Sequence, residues 1–378
     1  TAAQPGASVL RARVHAGAAD ALRLTAEAGG AIEQAEQAVA LARRAADLRE
    51  DADAGKTLEH ALAVLAAAQT ASGAADQAVI TYRSLVERQE RSLGPDHPRL
   101  SITYRGLSHA LEVAGEYAAG GESAENALRI SRAVLGDEHP VVAFDLANVA
   151  ASHRVRGQYA EAVELLREAS SALEATRPQS LARANTLAEI GMCLEELGQP
   201  DDAVAAHREA VAIQEKVHGP DHPDLGPGLS RLSSALRAAD RAGEALPISR
   251  RAVQLVEAAH PDGHWQVVVT LAELTQALVG AGEFEAAVER ADAMTAMARD
   301  QMGERHVMHA AVQTIRADAL IRSALDLGQA ERLAQAAAAI ALSRAIFEEQ
   351  QGAQSPNLSH VDELEVQLGE ASAELGVE

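Results

Sequence analysis

The chain has 378 residues, with 33 Lys or Arg against 55 Asp or Glu and a formal charge of -22. That balance opposes a polyanionic partner, so no nucleic acid is expected, and the single cysteine, Cys193, excludes an intramolecular disulfide and a four-cysteine zinc site. Hydrophobic residues make up 47% but aromatics only 2%, which leaves Ala and Leu, strong helix formers, to build the interior of an all-α protein.

Taken in chain order, residues 7 to 50 read as a helical pair around Gly29-Gly30. From 51 to 306 the chain repeats itself every 42 residues or so. A turn is marked by Gly73, Gly115, Gly157, Gly198, Asp240 and Gly282. Five residues after each mark stands a small side chain: Ala78, Gly120, Ala162, Ala203, Ala245 and Ala287. Before each mark, two apolar residues three apart precede another small one, as in Leu62/Leu65/Ala66, Tyr104/Leu107/Ser108, Leu146/Val149/Ala150, Leu187/Ile190/Gly191, Leu229/Leu232/Ser233 and Leu271/Leu274/Thr275. That spacing lies on one helical face, and the small positions predict close helix crossings.

Consecutive pairs are joined by a second recurring phrase: Leu93-Gly94-Pro95-Asp96-His97-Pro98, Leu135-Gly136-Asp137-Glu138-His139-Pro140 and Gly219-Pro220-Asp221-His222-Pro223. Gly94 predicts a helix end in the left-handed cap conformation, and Pro98 a helix start, with Asp96 or His97 capping it. The third linker is shortened to Ala175-Thr176-Arg177-Pro178-Gln179, the fifth reads Pro261-Asp262-Gly263-His264-Trp265, and the sixth keeps only Gly303 and His306. Residues 307 to 351 read as another pair turning near Gly328, and 352 to 378 as a capping helix centred on 357 to 375.

These motifs resemble the tetratricopeptide repeat in its long 42-residue form, as carried by kinesin light chains and many bacterial signalling proteins. The resemblance implies a right-handed α-solenoid of about eight antiparallel helix pairs with a C-terminal capping helix, one superhelical domain over 1–378. It also implies a concave groove lined by the first helix of each pair, holding a peptide or helical segment of a partner protein. Carried onto this chain, the groove positions are Arg105, His109 and Glu112; Asn148, Ala151 and Arg154; Asn185, Met192 and Glu195; Ser230, Ser234 and Arg237; and Gln276. Arg105, Arg154 and Arg237 place positive charge there, either to grip carboxylates of a partner or to pair with groove glutamates such as Glu112, Glu195 and Glu196.

No catalytic residue, cofactor or metal is expected. The linker histidines stand on successive turns and cannot converge on one ion. Neither His306/His309 with Glu304 nor His260/His264 has the spacing of a helical zinc motif. Gly55-Lys56-Thr57 lacks the preceding glycine of a phosphate loop, since Glu50 is there. Cys193 is read as a buried, inert thiol, and Trp265 as either a partner anchor or a plug. The chain starts at Thr1 without an initiator Met, which reads as a piece of something longer. No apolar run has the length of a membrane span and no signal-peptide layout is present, so a cytoplasmic location without membrane contact is expected. The excess of Arg over Lys, with Lys56 and Lys216 alone, points to a bacterial genome. The leading reading is a non-enzymatic recruitment or sensor scaffold in signalling; self-assembly through the terminal helix and an enzyme with a concealed groove site stand as alternatives.

Overall fold

The computed structural model describes residues 7–24, 28–47, 53–260 and 263–377. Among them are 17 α-helices and no strand. They form eight pairs: α1 (Ala7–Leu24) with α2 (Ala28–Asp47), α3 (Ala54–Ala71) with α4 (Ala75–Leu93), α5 (Pro98–Val113) with α6 (Tyr117–Leu135), and α7 (Pro140–Val155) with α8 (Tyr159–Thr176). Then come α9 (Leu181–Glu196) with α10 (Pro200–His218), α11 (Leu225–Ala238) with α12 (Ala242–Ala259), α13 (Trp265–Gly280) with α14 (Phe284–Met302), and α15 (Val307–Leu327) with α16 (Glu331–Gln351). A last helix, α17 (Asn357–Leu375), packs on α15 and α16 and buries Leu358, Val361 and Leu364. Gly29 and Gly30 fall inside the first turn of α2 and not in a turn between helices. Residues 48–50 of the first pair, and Pro261 and Asp262 of the fifth linker, lie outside the described residues.

Each internal turn closes in the same way. The amide of Gly115 donates to the Glu112 carbonyl (3.0 Å) and that of Glu116 to the Leu111 carbonyl (2.8 Å), which is the paired bond of a Schellman motif. The same two bonds recur around Gly73, Gly157, Gly198, Asp240 and Gly282. All six marks have positive φ, and Asp240 (φ 56°) is the one residue other than Gly to do so among the described residues.

The linkers obey a different rule from the one expected. Gly94 (φ 89°, ψ 159°), Gly136 (81°, 161°) and Gly219 (93°, 158°) leave their helices in a region of extended ψ that is open essentially to Gly alone, and not in the left-handed helical region. The cap of the next helix is then the imidazole. His97 Nδ1 accepts the Arg99 amide (3.2 Å), His139 Nδ1 that of Val141 (3.1 Å), His264 that of Gln266 (3.3 Å) and His306 that of Met308 (3.1 Å); His222 makes the same bond to the Asp224 amide (3.2 Å), but there α11 starts only at Leu225, so the bond lies within the linker. Asp96 takes no part in capping and instead receives Arg129 of the following second helix (2.5 Å).

Packing explains the small positions. Ala78, Ala162, Ala203, Ala245 and Ala287 are fully buried. Gly191 faces the ring of His207 so closely that a Cβ there would stand 2.5 Å from its Cε1 and Nε2. One pair further on, Ser233 Oγ meets Ser249 Oγ at 2.5 Å. Much of the Arg and Glu content is consumed between successive second helices: Arg208 reaches Glu244 (2.5 Å), Arg250 reaches Glu283 (2.6 Å) and Arg251 reaches Glu215 (2.5 Å). Such exposed pairs stabilise by about 0–1 kcal/mol each. The chain divides into two compact units, Thr1–Pro178 and Gln179–Glu378, and the division falls at the shortened linker.

Candidate functional site: the first-helix face

In each unit most first helices of successive pairs also touch one another, as α1 with α3 and α3 with α5, or α11 with α13 and α13 with α15. Second helices of successive pairs do not approach to that extent. The first-helix side is therefore the inner side of each stack.

In the first unit this face is partly apolar. Ile102 of α5 and Phe144 of α7 occupy the same place in successive pairs and are 65% and 55% exposed. Arg105 reaches from α5 to Phe144: its guanidinium carbon lies 5.9 Å from the centre of the Phe144 ring, a cation-π contact. The same guanidinium neutralises Asp145, which has no exposed surface and accepts the Ser131 hydroxyl (2.6 Å). Arg105 Nε lies 3.3 Å from Asp145 Oδ1, near enough for charge, while its hydrogen bond goes to the Ser101 carbonyl. Burial raises the Asp145 carboxyl above its ordinary value, outweighing Ser131 and Arg105. His109 is exposed, and Glu112, Asn148, Ala151 and Arg154 are half-buried. Glu112 is also raised by burial, against the opposing effects of His109 and the Ser108 hydroxyl.

In the second unit the face is mostly polar and largely engaged with itself, although Val269 of α13, at the place equivalent to Ile102 and Phe144, is 39% exposed. Arg237 donates to Glu273 Oε1 (2.8 Å) and to Gln276 Oε1 (2.5 Å), joining α11 to α13. Burial is the main reason that the Glu273 carboxyl is raised, although Arg237 opposes it. Glu195 accepts from the buried His207 (3.1 Å). Asn185 is exposed; Met192, Ser234 and Gln276 are half-buried; Ser230 is buried, so its hydroxyl is withdrawn from the surface. Two of the three arginines thus spend their charge on Asp145 and Glu273, neither of which was among the anticipated partners. Ile102 and Phe144 were missed because they stand two residues before the packing pair. The available signal was a bulky apolar side chain with no place in the three-residue spacing.

Other candidates fall into structural roles. His309 is buried, with Nδ1 against the Glu304 carbonyl (2.8 Å) and Nε2 against Gln313 (3.2 Å). Lys56 lies in α3 and pairs with Asp53 (3.1 Å). Cys193 is fully buried. Trp265 opens α13, 51% exposed and 5.5 Å from the His264 ring. No helix among the described residues is long and apolar enough to cross a membrane.

The tetratricopeptide repeat profile matches residues 109–175 and 182–258, so the helix pairs over those residues are tetratricopeptide repeats. No curated protein sequence matches the chain significantly. Among solved structures, BtubC (BKLC) from P. vanneervenii is similar at 25% identity and a TM-score of 0.53, over 62% of this chain and 92% of that one. The apo form of RapI matches at 12% identity and a TM-score of 0.64, over 97% and 98% of the two chains, a likeness of fold alone. A Rap protein complexed with Competence and Sporulation Factor matches at 14% identity and a TM-score of 0.49, over 97% and 99%.

Proposed function

We propose that this tetratricopeptide array is a non-enzymatic interaction scaffold, of the recruitment or sensor kind found in signalling, that holds a peptide or helical segment of a partner protein on its first helices. The observation that carries the reading is the exposure of Ile102 and Phe144 at equivalent places on α5 and α7. Large apolar side chains presented in register on an inner face gain free energy when a partner covers them. In the first unit Arg105 lies over Phe144, and His109, Glu112, Asn148 and Arg154 stand further along the same two helices. The second unit is assigned a face of its own, with Asn185, Met192, Glu195, Ser234, Arg237 and Gln276, in which Arg237 and Gln276 are already bonded to each other.

The test uses peptides selected from a random display library against the full chain, with affinities measured by fluorescence anisotropy. Phe144→Ala and Ile102→Ser each remove an exposed anchor without touching the buried face, so folding should survive, and affinity should fall about tenfold or more, the size of a 1.4 kcal/mol loss. Peptides that bind both variants as tightly as the parent chain would refute the reading.

A further inference from the structure

One linker carries more chemistry than its bond to the backbone needs. Of the five linker imidazoles that accept an amide two residues on, those of His97 and His139 have leucine four residues earlier (Leu93, Leu135) and that of His306 has Met302. His222 has His218. The extended-ψ bend at Gly219 turns the chain back so that the two rings stack, 4.7 Å between centres and 25° between planes. Asp224 closes the group, its Oδ2 lying 3.6 Å from His222 Nδ1. Donor atoms of the three side chains all lie within 4.8 Å of one another.

We propose that His218, His222 and Asp224 form a site for a divalent transition ion of the zinc type. Two ligands held about 2.1 Å from one tetrahedral ion stand about 3.4 Å apart, so the 3.6 Å between His222 and Asp224 already fits. His218 must rotate out of the stack to bring its nitrogen to the same point. Two imidazoles and one carboxylate suit Zn2+, Co2+ or Ni2+, whereas Mg2+ and Ca2+ favour all-oxygen sites. Three protein ligands leave a fourth position for water. Arg251 holds the backbone beneath, donating to the Pro220 carbonyl (2.6 Å) and pairing with Glu215 (2.5 Å). Coordination takes the His222 Nδ1 lone pair away from the Asp224 amide, so the ion replaces that bond as the tie within the linker just before α11.

The next pair provides an internal control. His260 and His264 stack in the same way (4.5 Å, 16°), and His264 caps Gln266. Gln266 stands two residues after its capping histidine, where Asp224 stands after His222, so that linker has two imidazoles and no carboxylate at this place.

Zinc titration of the full, tag-free chain by calorimetry, with Mg2+ and Ca2+ as comparison ions, tests the assignment. The expected result is a Zn2+ dissociation constant tighter than about 100 µM, weakened about tenfold or more by His218→Ala and by Asp224→Asn and unchanged by His260→Ala. Neither His218 nor the Asp224 side chain caps a helix, so both variants should keep the far-ultraviolet circular dichroism of the parent. Weaker Zn2+ binding by the parent chain, undiminished binding by His218→Ala, or an equal loss from His260→Ala would each overturn the site.

Discussion

Replacing Gly191 by Ala should destabilise the second unit, although a Gly to Ala change inside a helix ordinarily stabilises by about 1 kcal/mol. The new Cβ would stand 2.5 Å from two atoms of the His207 ring and 2.8 Å from a third. His207 is 1% exposed and bonded to Glu195 at 3.1 Å, so the ring has nowhere to go without losing that bond. Overpacking costs about 1–3 kcal/mol, and the hydrogen bond, made to a charged group, about 1.5–3 kcal/mol. After the helix-propensity gain, a net loss of about 1.5–5 kcal/mol remains, which lowers Tm by roughly 3–20 °C in a unit of this size. Trp265 is the only tryptophan of the chain and lies in the second unit, so its fluorescence during urea unfolding reports on the right half. In a His207→Ala background the ring is gone and the same Gly191→Ala change should be neutral or stabilising. Gly369, mid-way along α17 with nothing within 4 Å of its virtual Cβ, serves as the control whose Ala variant gains stability. A Gly191→Ala variant that behaves like Gly369→Ala while His207 is present would refute the argument.

Two further outcomes follow from strain and burial. Asp240→Gly relieves the positive φ that the other five turns assign to Gly, and should raise stability by about 0.5–1 kcal/mol; a lower urea midpoint would contradict this. Asp145 has a native carboxyl above its unfolded value of 3.8, so the native state binds that proton more tightly. Its contribution to stability therefore grows as pH falls through the native value and declines as pH rises through it. Asp145→Asn should accordingly be no less stable than the parent at pH 7, with the gap narrowing toward acid. A parent chain clearly more stable at pH 7 would show that the Arg105 charge outweighs burial.

The helix pairs were legible because each is specified locally and then repeated. A glycine with positive φ, two apolar residues three apart and a small residue at the crossing are demands of single turns and single helix faces, and six copies expose the pattern even where Asp240 breaks it. Linker capping was half legible: the phrase contained both Asp96 and His97, and only geometry separated the cap from the ion pair. The first-helix face was assigned from family likeness, and the exposure of its side chains was only partly legible. Ser230 is buried, and Ile102 and Phe144 are exposed.

The amino-acid sequence by itself determined the all-α class, the period and the pairing of helices, since these depend on backbone conformation and on contacts between neighbours in the chain. Tertiary structure decided which charges remain for a partner. Arg237 and Glu273 are 36 residues apart, and Arg105 meets Asp145 from the next pair; only helix packing brings them within reach, and once there each neutralises the other. The same packing set two imidazoles and a carboxylate together at one linker and only two imidazoles at the next, and it divided the array at the shortened linker. The physical reason is distance: short-range backbone preferences are written residue by residue, whereas electrostatic and coordination chemistry depends on a few ångströms between side chains that the chain order alone does not specify.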